Sequence, residues 1–289
     1  MQLLTTDKRL KYDIFLKSLL ELLNQSVLSL REIKAKYSEV SQIDRKIDHY
    51  IDLGLIKREN KRYYLSSDLI AIQDDDIVKS IAEAQISLLE ASELKLNNVF
   101  FSQYFKNLQV VQPEYILLEA QPKLYRLDQL NNQTNQVVFY FLNQLTETEL
   151  NPYLYFRHQD EEMLTEKEQE INQYLGDVNP EYGLKYMTTF LLKFLKKAEV
   201  TQKRPDIFVR ALADFKIIEG LGQNCYGLKL PYIEGKAMAA PILEQLKAIE
   251  FDELEKLTIP ERFITSGMIH QRVYDYFMTS QFAYWTIEA

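Results

Sequence analysis

The 289-residue chain carries 34 Lys and Arg against 42 Asp and Glu, a net charge of −8, with 46% hydrophobic and 26% charged residues. That composition supports cores for two or three domains and excludes a mainly disordered chain, while no apolar run approaches the roughly 20 residues that span a bilayer. The opening MQLLTTDKRLKYD lacks the basic-then-apolar order of a signal peptide, and the one cysteine, Cys225, has no partner for an internal disulfide, so a cytoplasmic protein is expected.

Residues 12–24 (YDIFLKSLLELLN) read as an amphipathic helix that offers Ile14, Phe15, Leu19, Leu22 and Leu23 to a core. A short strand at Val27 and Leu28 follows. Ser29 and Glu32 have the spacing of a capping box and open a helix through Leu30, Ile33 and Tyr37. Ser41 and Asp44 repeat that spacing ahead of Ile43, Ile47, Tyr50 and Ile51, which fall on one face of a 3.6-residue period. Gly54 ends this helix in the left-handed conformation. Residues 55–58 and 62–65 then read as two strands around the turn Glu59, Asn60, Lys61. The predicted core joins Phe15, Leu19, Leu23, Ile33, Ile47, Tyr50, Ile51 and Ile56.

Through its LREI helix, its DRKIDHYIDLGLI helix-to-strand passage and its KRENKRYYL hairpin, the stretch 12–66 resembles the winged-helix modules of bacterial regulators and replication initiators. The whole chain is also similar to uncharacterised proteins of lactic-acid bacteria classed only as a domain of unknown function. The first resemblance implies a DNA-facing module; the second implies a cytoplasmic bacterial protein and no known chemistry.

Asp74 to Asp76 introduce a long helix with Ile77, Ile81, Leu88 and Leu89 on its buried side. Beyond Val110 the texture becomes β-like: YILLEA, a Pro122 break, KLYRLDQL, an amide-rich loop and VVFYFLN, whose unbroken apolar run fits a strand buried on both faces. Asn151 and Pro152 read as a break, residues 161–174 as one charged helix ending at Gly176, and 177–180 as a domain boundary. After it, YMTTFLLKFL overlays residues 14–23 with a shift of 172, and DIFVRALADFKII overlays residues 44–56 with a shift of 162, putting Tyr226 on Tyr64. Either a second, trimmed winged helix lies at 181–230, or apolar helices followed by hairpins resemble each other by default. The tail reads as a helix after Pro241, a break at Ile259-Pro260 and a last helix from Met268 into Tyr274, Tyr276, Phe277, Phe282, Tyr284 and Trp285. So aromatic an ending should dock on the body or on a partner.

The expected fold is therefore mainly α with small β elements (α+β): a winged-helix domain at 1–72, a middle α+β region at 73–180, and a C-terminal domain at 181–289 with a helical tail. The three histidines, His49, His158 and His270, have no metal-ligand spacing, Gly220-Leu221-Gly222 leads into a strand rather than a phosphate-binding helix, and Cys225 lacks an activating base. No catalytic residue, metal or cofactor is expected; an enzyme is not the reading.

Charge is distributed unevenly. Residues 1–70 hold 13 basic and 10 acidic side chains, 71–180 hold 7 and 18, 181–230 hold 9 and 5, and 231–289 hold 5 and 9. Two mildly basic segments sit in an acidic chain, which suits two nucleic-acid-facing modules or merely solvated faces. On the third helix the outward face shows Gln42, Arg45, Asp48, His49 and Asp52, with Lys46 at its border. Gln42 and Arg45 are suited to base edges. Arg31 and Lys34, with Lys57, Arg58, Lys61 and Arg62 of the hairpin, are suited to phosphates. The partner expected is duplex DNA; the alternative is a non-catalytic adaptor that binds protein, or itself, through its winged helices and aromatic C-terminus. Asp48 and Asp52 favour that alternative.

Overall fold

The computed structural model describes residues 2–5, 14–66, 75–108, 110, 112, 115–118, 123–144, 150–160, 164–234, 240–278 and 283–287. The protein is mainly α with small antiparallel sheets, and its chain divides into two units. The first comprises Met1–Val78, Val110–Pro122 and Asp252–Met268, and the second Lys79–Gln109, Lys123–Phe251 and Ile269–Ala289.

In the first unit, strand β1 (Gln2–Thr5) precedes helix α1 (Ile14–Gln25), strand β2 (Leu28–Ser29), helices α2 (Leu30–Lys36) and α3 (Ile43–Asp52), and the hairpin β3 (Ile56–Glu59) and β4 (Arg62–Leu65). The three short strands pair in the order β2-β4-β3. This is the helix, strand, helix, helix, hairpin order expected from the sequence. α1 buries Phe15, Leu16, Leu19, Leu20 and Leu23. Its apolar stripe is thus turned slightly from the expected one, leaving Ile14 88% exposed and Leu22 only half-buried. All eight predicted core residues share one cluster, with Ile51 at its margin. Leu3 of β1 and Leu117 of the antiparallel partner β5 (Tyr115–Leu118) join it.

Local chemistry explains most of the boundaries. The Ser29 hydroxyl accepts the Glu32 N–H at 3.3 Å while the Glu32 carboxylate accepts the Ser29 N–H at 2.6 Å, which completes the first capping box. The second box does not form. α3 starts one residue later, after Gln42 in the left-handed region (φ 54°), and Asp44 pairs with Lys34 at 2.7 Å instead. At the other end Gly54 has φ 74°, the Gly54 N–H donates to the Ile51 carbonyl and the Leu55 N–H to the Tyr50 carbonyl, a Schellman closure. Asn60 and Lys61, both at positive φ, make the two-residue hairpin turn whose twist suits flanking strands.

In the second unit, helices α4 (Asp75–Ala91) and α5 (Asn98–Leu108) precede strands β6 (Tyr125–Asn132) and β7 (Val137–Gln144). Every β7 residue but Gln144 is buried, as the unbroken apolar run predicted. Then come helices α6 (Pro152–Asp160), α7 (Glu166–Leu175) and α8 (Pro180–Leu191), a 3-10 turn at Leu192–Leu195, strand β8 (Glu199–Thr201), helix α9 (Ile207–Asp214), strands β9 (Ile218–Gly222) and β10 (Cys225–Leu228), helices α10 (Ala240–Leu254) and α11 (Ile259–Phe277), and strand β11 (Ala283–Ile287).

Five expectations need correction. Asn151 and Pro152 do not break the chain but start α6, with the Asn151 side chain accepting the Leu154 N–H. The charged helix begins at Glu166 under a Thr165–Glu168 capping box; residues 161–163 lie outside the described residues. Ile259 and Pro260 likewise open α11, under a box formed by Thr258 and Glu261. The tail is not helical to its end, because β11 adds to the sheet in the order β11-β7-β6. Trp285 is fully buried there, and Tyr284 stacks on Tyr140 at 4.9 Å, so the aromatic ending docks on the chain itself; Phe282 lies outside the described residues. One cluster contains Phe139, Tyr155 and Leu175 together with Leu184, Leu212 and Trp285. Residues on the two sides of 177–180 therefore share a core, and that stretch does not divide two of them.

Segment 180–230 repeats the topology of residues 14–66 without the middle helix. Its strands pair β8-β10-β9, the same relation as β2-β4-β3. α9 closes as α3 does: the Lys216 N–H donates to Ala213, the Ile217 N–H to Leu212, and Lys216 takes the left-handed φ (58°) of Gly54. Gln223 and Asn224, both at positive φ, answer to Asn60 and Lys61. A register shift between Cys225 and Tyr226 adds one residue. Tyr226 pairs with Val200 as Tyr63 pairs with Leu28, so it corresponds to Tyr63 rather than Tyr64.

Candidate nucleic-acid interface

The outward face of α3 follows from its period: with Ile43, Ile47 and Tyr50 buried, Asp44, Arg45, Asp48, His49 and Asp52 are exposed, as is Gln42 at its start. Lys46 is half-buried because its ammonium lies over the Phe15 ring, 5.3 Å from the centroid. Arg31, Lys34, Lys57, Arg58, Lys61 and Arg62 are all exposed. The ten residues singled out from the sequence thus all reach the surface of one module, but they are not equivalent.

Two of them are engaged inside the module. Lys34 joins α2 to Asp44 of α3, and the Arg62 guanidinium meets the Glu32 carboxylate at 2.9 Å. Glu32 thereby serves as N-terminal cap and as anchor of β4, and the bond from Ser29 followed by the Arg62 charge holds its carboxyl below the usual range. On β3, side chains alternate between faces. Lys57 lies over Tyr64 at 5.7 Å on the outer face, and Arg58 over Tyr63 at 5.5 Å on the core-side face. Lys61 sits in the turn. Within the described residues Arg31, Arg45, Lys57, Arg58 and Lys61 make no ion pair.

The second module presents different chemistry on the same frame. Its hairpin, residues 217–228, holds no Lys or Arg, and Leu221 is 49% exposed. On α9, Ile207 and Phe208 occupy the places of Arg45 and Lys46, and Tyr186 stacks on Phe208 at 5.1 Å.

Elsewhere the histidines are structural. His158 Nδ1 meets Glu168 at 2.8 Å and ties α6 to the α7 cap; His270 Nε2 meets Glu250 at 3.0 Å in a buried group that includes Gln85 and Tyr104. Among the described residues no three His, Cys, Asp or Glu side chains gather as a metal site. Cys225 is half-exposed, with its thiol 3.6 Å from the Glu199 carboxylate. A cleft of about 920 Å³ is lined by Glu166, Lys167, Glu170, Arg210 and Asp214, but Asp214 already accepts the Tyr174 hydroxyl at 2.6 Å. No helix among the described residues is long and apolar enough to cross a membrane.

Residues 2–108 match the family model described as a domain of unknown function (DUF1803). No curated protein and no solved structure matches the chain. The matched stretch contains the first module with α4 and α5, and stops short of the second.

Proposed function

We propose that this chain is a cytoplasmic bacterial DNA-binding protein, regulatory or replication-related, in which residues 14–66 act as a winged helix on duplex DNA. The observation that carries the reading is the placement of Gln42 and Arg45 at the exposed N-terminal end of α3 alongside a hairpin whose Lys57, Arg58 and Lys61 have no ion-pair partner among the described residues. Helix N-terminal residues reach base edges in the major groove, and hairpin cations reach phosphate. Asp44 is neutralised by Lys34, while Asp48 and Asp52 lie toward the C-terminal end, away from the entering tip.

The roles separate by mutation. Gln42→Ala or Arg45→Ala should lose about 1 to 3 kcal/mol on a preferred sequence and little elsewhere. Lys61→Ala should weaken all sequences alike and make the salt slope shallower by about 1. Asp48→Ala should leave binding unchanged or strengthen it. Equal losses on every sequence for Gln42→Ala and Arg45→Ala would defeat the assignment of α3 as the reading element. The adaptor reading draws on a different observation, the exposed apolar side chains Tyr182, Tyr186, Ile207 and Leu221 of the second module.

A further inference from the structure

The two modules carry their cations at different ends. In the second, Lys193, Lys196 and Lys197 follow α8, and Lys203 and Arg204 lie in the loop from β8 to α9, where the first module has its middle helix. The positions that overlay the first three with the shift of 172 are Glu21, Asn24 and Gln25, so the first module has no cation there.

The fold brings these two short basic runs together. Lys193 Nζ donates to Gln202 Oε1 at 3.3 Å, and the Asn224 amide of the hairpin turn donates to the Lys203 carbonyl at 3.2 Å. The Gln202 N–H donates to the Asn224 carbonyl at 3.0 Å, which fixes the loop against the turn. All five cations are exposed and none makes an ion pair within the described residues. Two acids lie in the same fourteen-residue stretch. Asp206 is engaged in capping α9, where it accepts the Phe208 and Val209 N–H groups, and Glu199 faces Cys225. Five cations against two acids leave a balance of +3 between residues 193 and 206, in a chain of net −8. Such a concentration raises the local density of a polyanion, and its lysine-rich, flexible composition suits charge neutralisation rather than base reading.

We propose that the second module contacts the phosphate backbone of duplex DNA through Lys193, Lys196, Lys197, Lys203 and Arg204, and not through its helix α9 and hairpin. The proposal rests on the DNA reading of the first module and adds a second, sequence-independent contact to it. The first module then selects the site, and the second lengthens the electrostatic footprint.

The test is a salt series on random and preferred duplexes with the full chain carrying Lys196→Ala, Lys197→Ala, Lys203→Ala and Arg204→Ala. Lys193 is left intact because its contacts with Gln202 and the Phe190 ring hold the loop. These four exposed replacements should leave the thermal transition in place. They should weaken binding to both duplexes by the same factor and make the slope of log K against log salt shallower by about 3 to 4, near 0.9 per lost phosphate contact. If Lys61→Ala makes the slope shallower while the quadruple variant keeps the parental slope and affinity, the second contact does not exist and the first module binds alone. If the parent protein binds no duplex, the underlying DNA reading falls and this proposal falls with it.

Discussion

Replacing Gly54 by alanine tests the passage from α3 to the hairpin, on which the first module's geometry depends. Gly54 holds φ at +74°, and a Cβ built there meets nothing within 4 Å, so the substitution introduces backbone strain without a clash. A left-handed conformation costs a non-glycine residue about 1 to 2 kcal/mol. Alanine recovers about 0.4 to 1 kcal/mol by restricting the unfolded chain. The net expectation is a destabilisation of about 1 kcal/mol. The second module contains the reverse experiment, because Lys216 stands at the equivalent left-handed position with φ 58°. By the same two quantities, Lys216→Gly should stabilise by about 1 kcal/mol. Urea unfolding followed by circular dichroism reads both, as opposite displacements of the midpoint at unchanged slope. A Gly54→Ala protein as stable as its parent, or more so, would mean that α3 does not end in this closure.

Further outcomes follow from the same contacts. Trp285→Ala should cost about 3 to 5 kcal/mol, since the side chain is fully buried in the core it shares with Phe139 and Leu212; a thermal melt unmoved by this change would place β11 elsewhere. Arg62→Ala should lower DNA affinity less than Lys61→Ala and leave the salt slope nearly unchanged, because Arg62 holds β4 against Glu32; a full unit of slope lost at Arg62 would make it a phosphate contact instead. Glu32 and Glu261 both have carboxyls held below the ordinary value of 4.5, so each contributes stability above that pH and loses it as pH falls through its lower folded value. Glu32→Gln should therefore flatten the acid limb of the stability profile below about pH 4.5, and an unchanged limb would count against the cap.

The first module was legible because its signals are local. A capping box, a 3.6-residue stripe and a glycine stop are each read within a few residues, and they located α2, α3 and the hairpin. The errors share physical causes. Pro152 and Pro260 look like breaks, yet proline has no N–H to lose in the first turn of a helix, where that donor lacks an intrahelical partner anyway. Asn151 and Thr258 ahead of them are capping residues, the signal that distinguishes a start from a break. β11 is not legible locally because its reason for being a strand is distant: Ala283 pairs with Phe141 and Ile287 with Val137. Ser41 has the residue type and spacing of a cap, and the left-handed turn at Gln42 that displaces it leaves no mark in residue type. At the candidate interface, periodicity sufficed to place Arg45 and His49 outward. That Arg62 faces Glu32, thirty residues earlier, depended on the pairing of β2 with β4.

The most direct measurement is binding of the full chain to random duplex DNA across a salt series from about 50 mM upward. The account predicts salt-dependent binding with a slope of several units, made shallower by Lys57→Ala, Arg58→Ala or Lys61→Ala. Absence of any salt-dependent binding at about 50 mM would contradict it and leave the exposed apolar face of the second module as the basis for an adaptor.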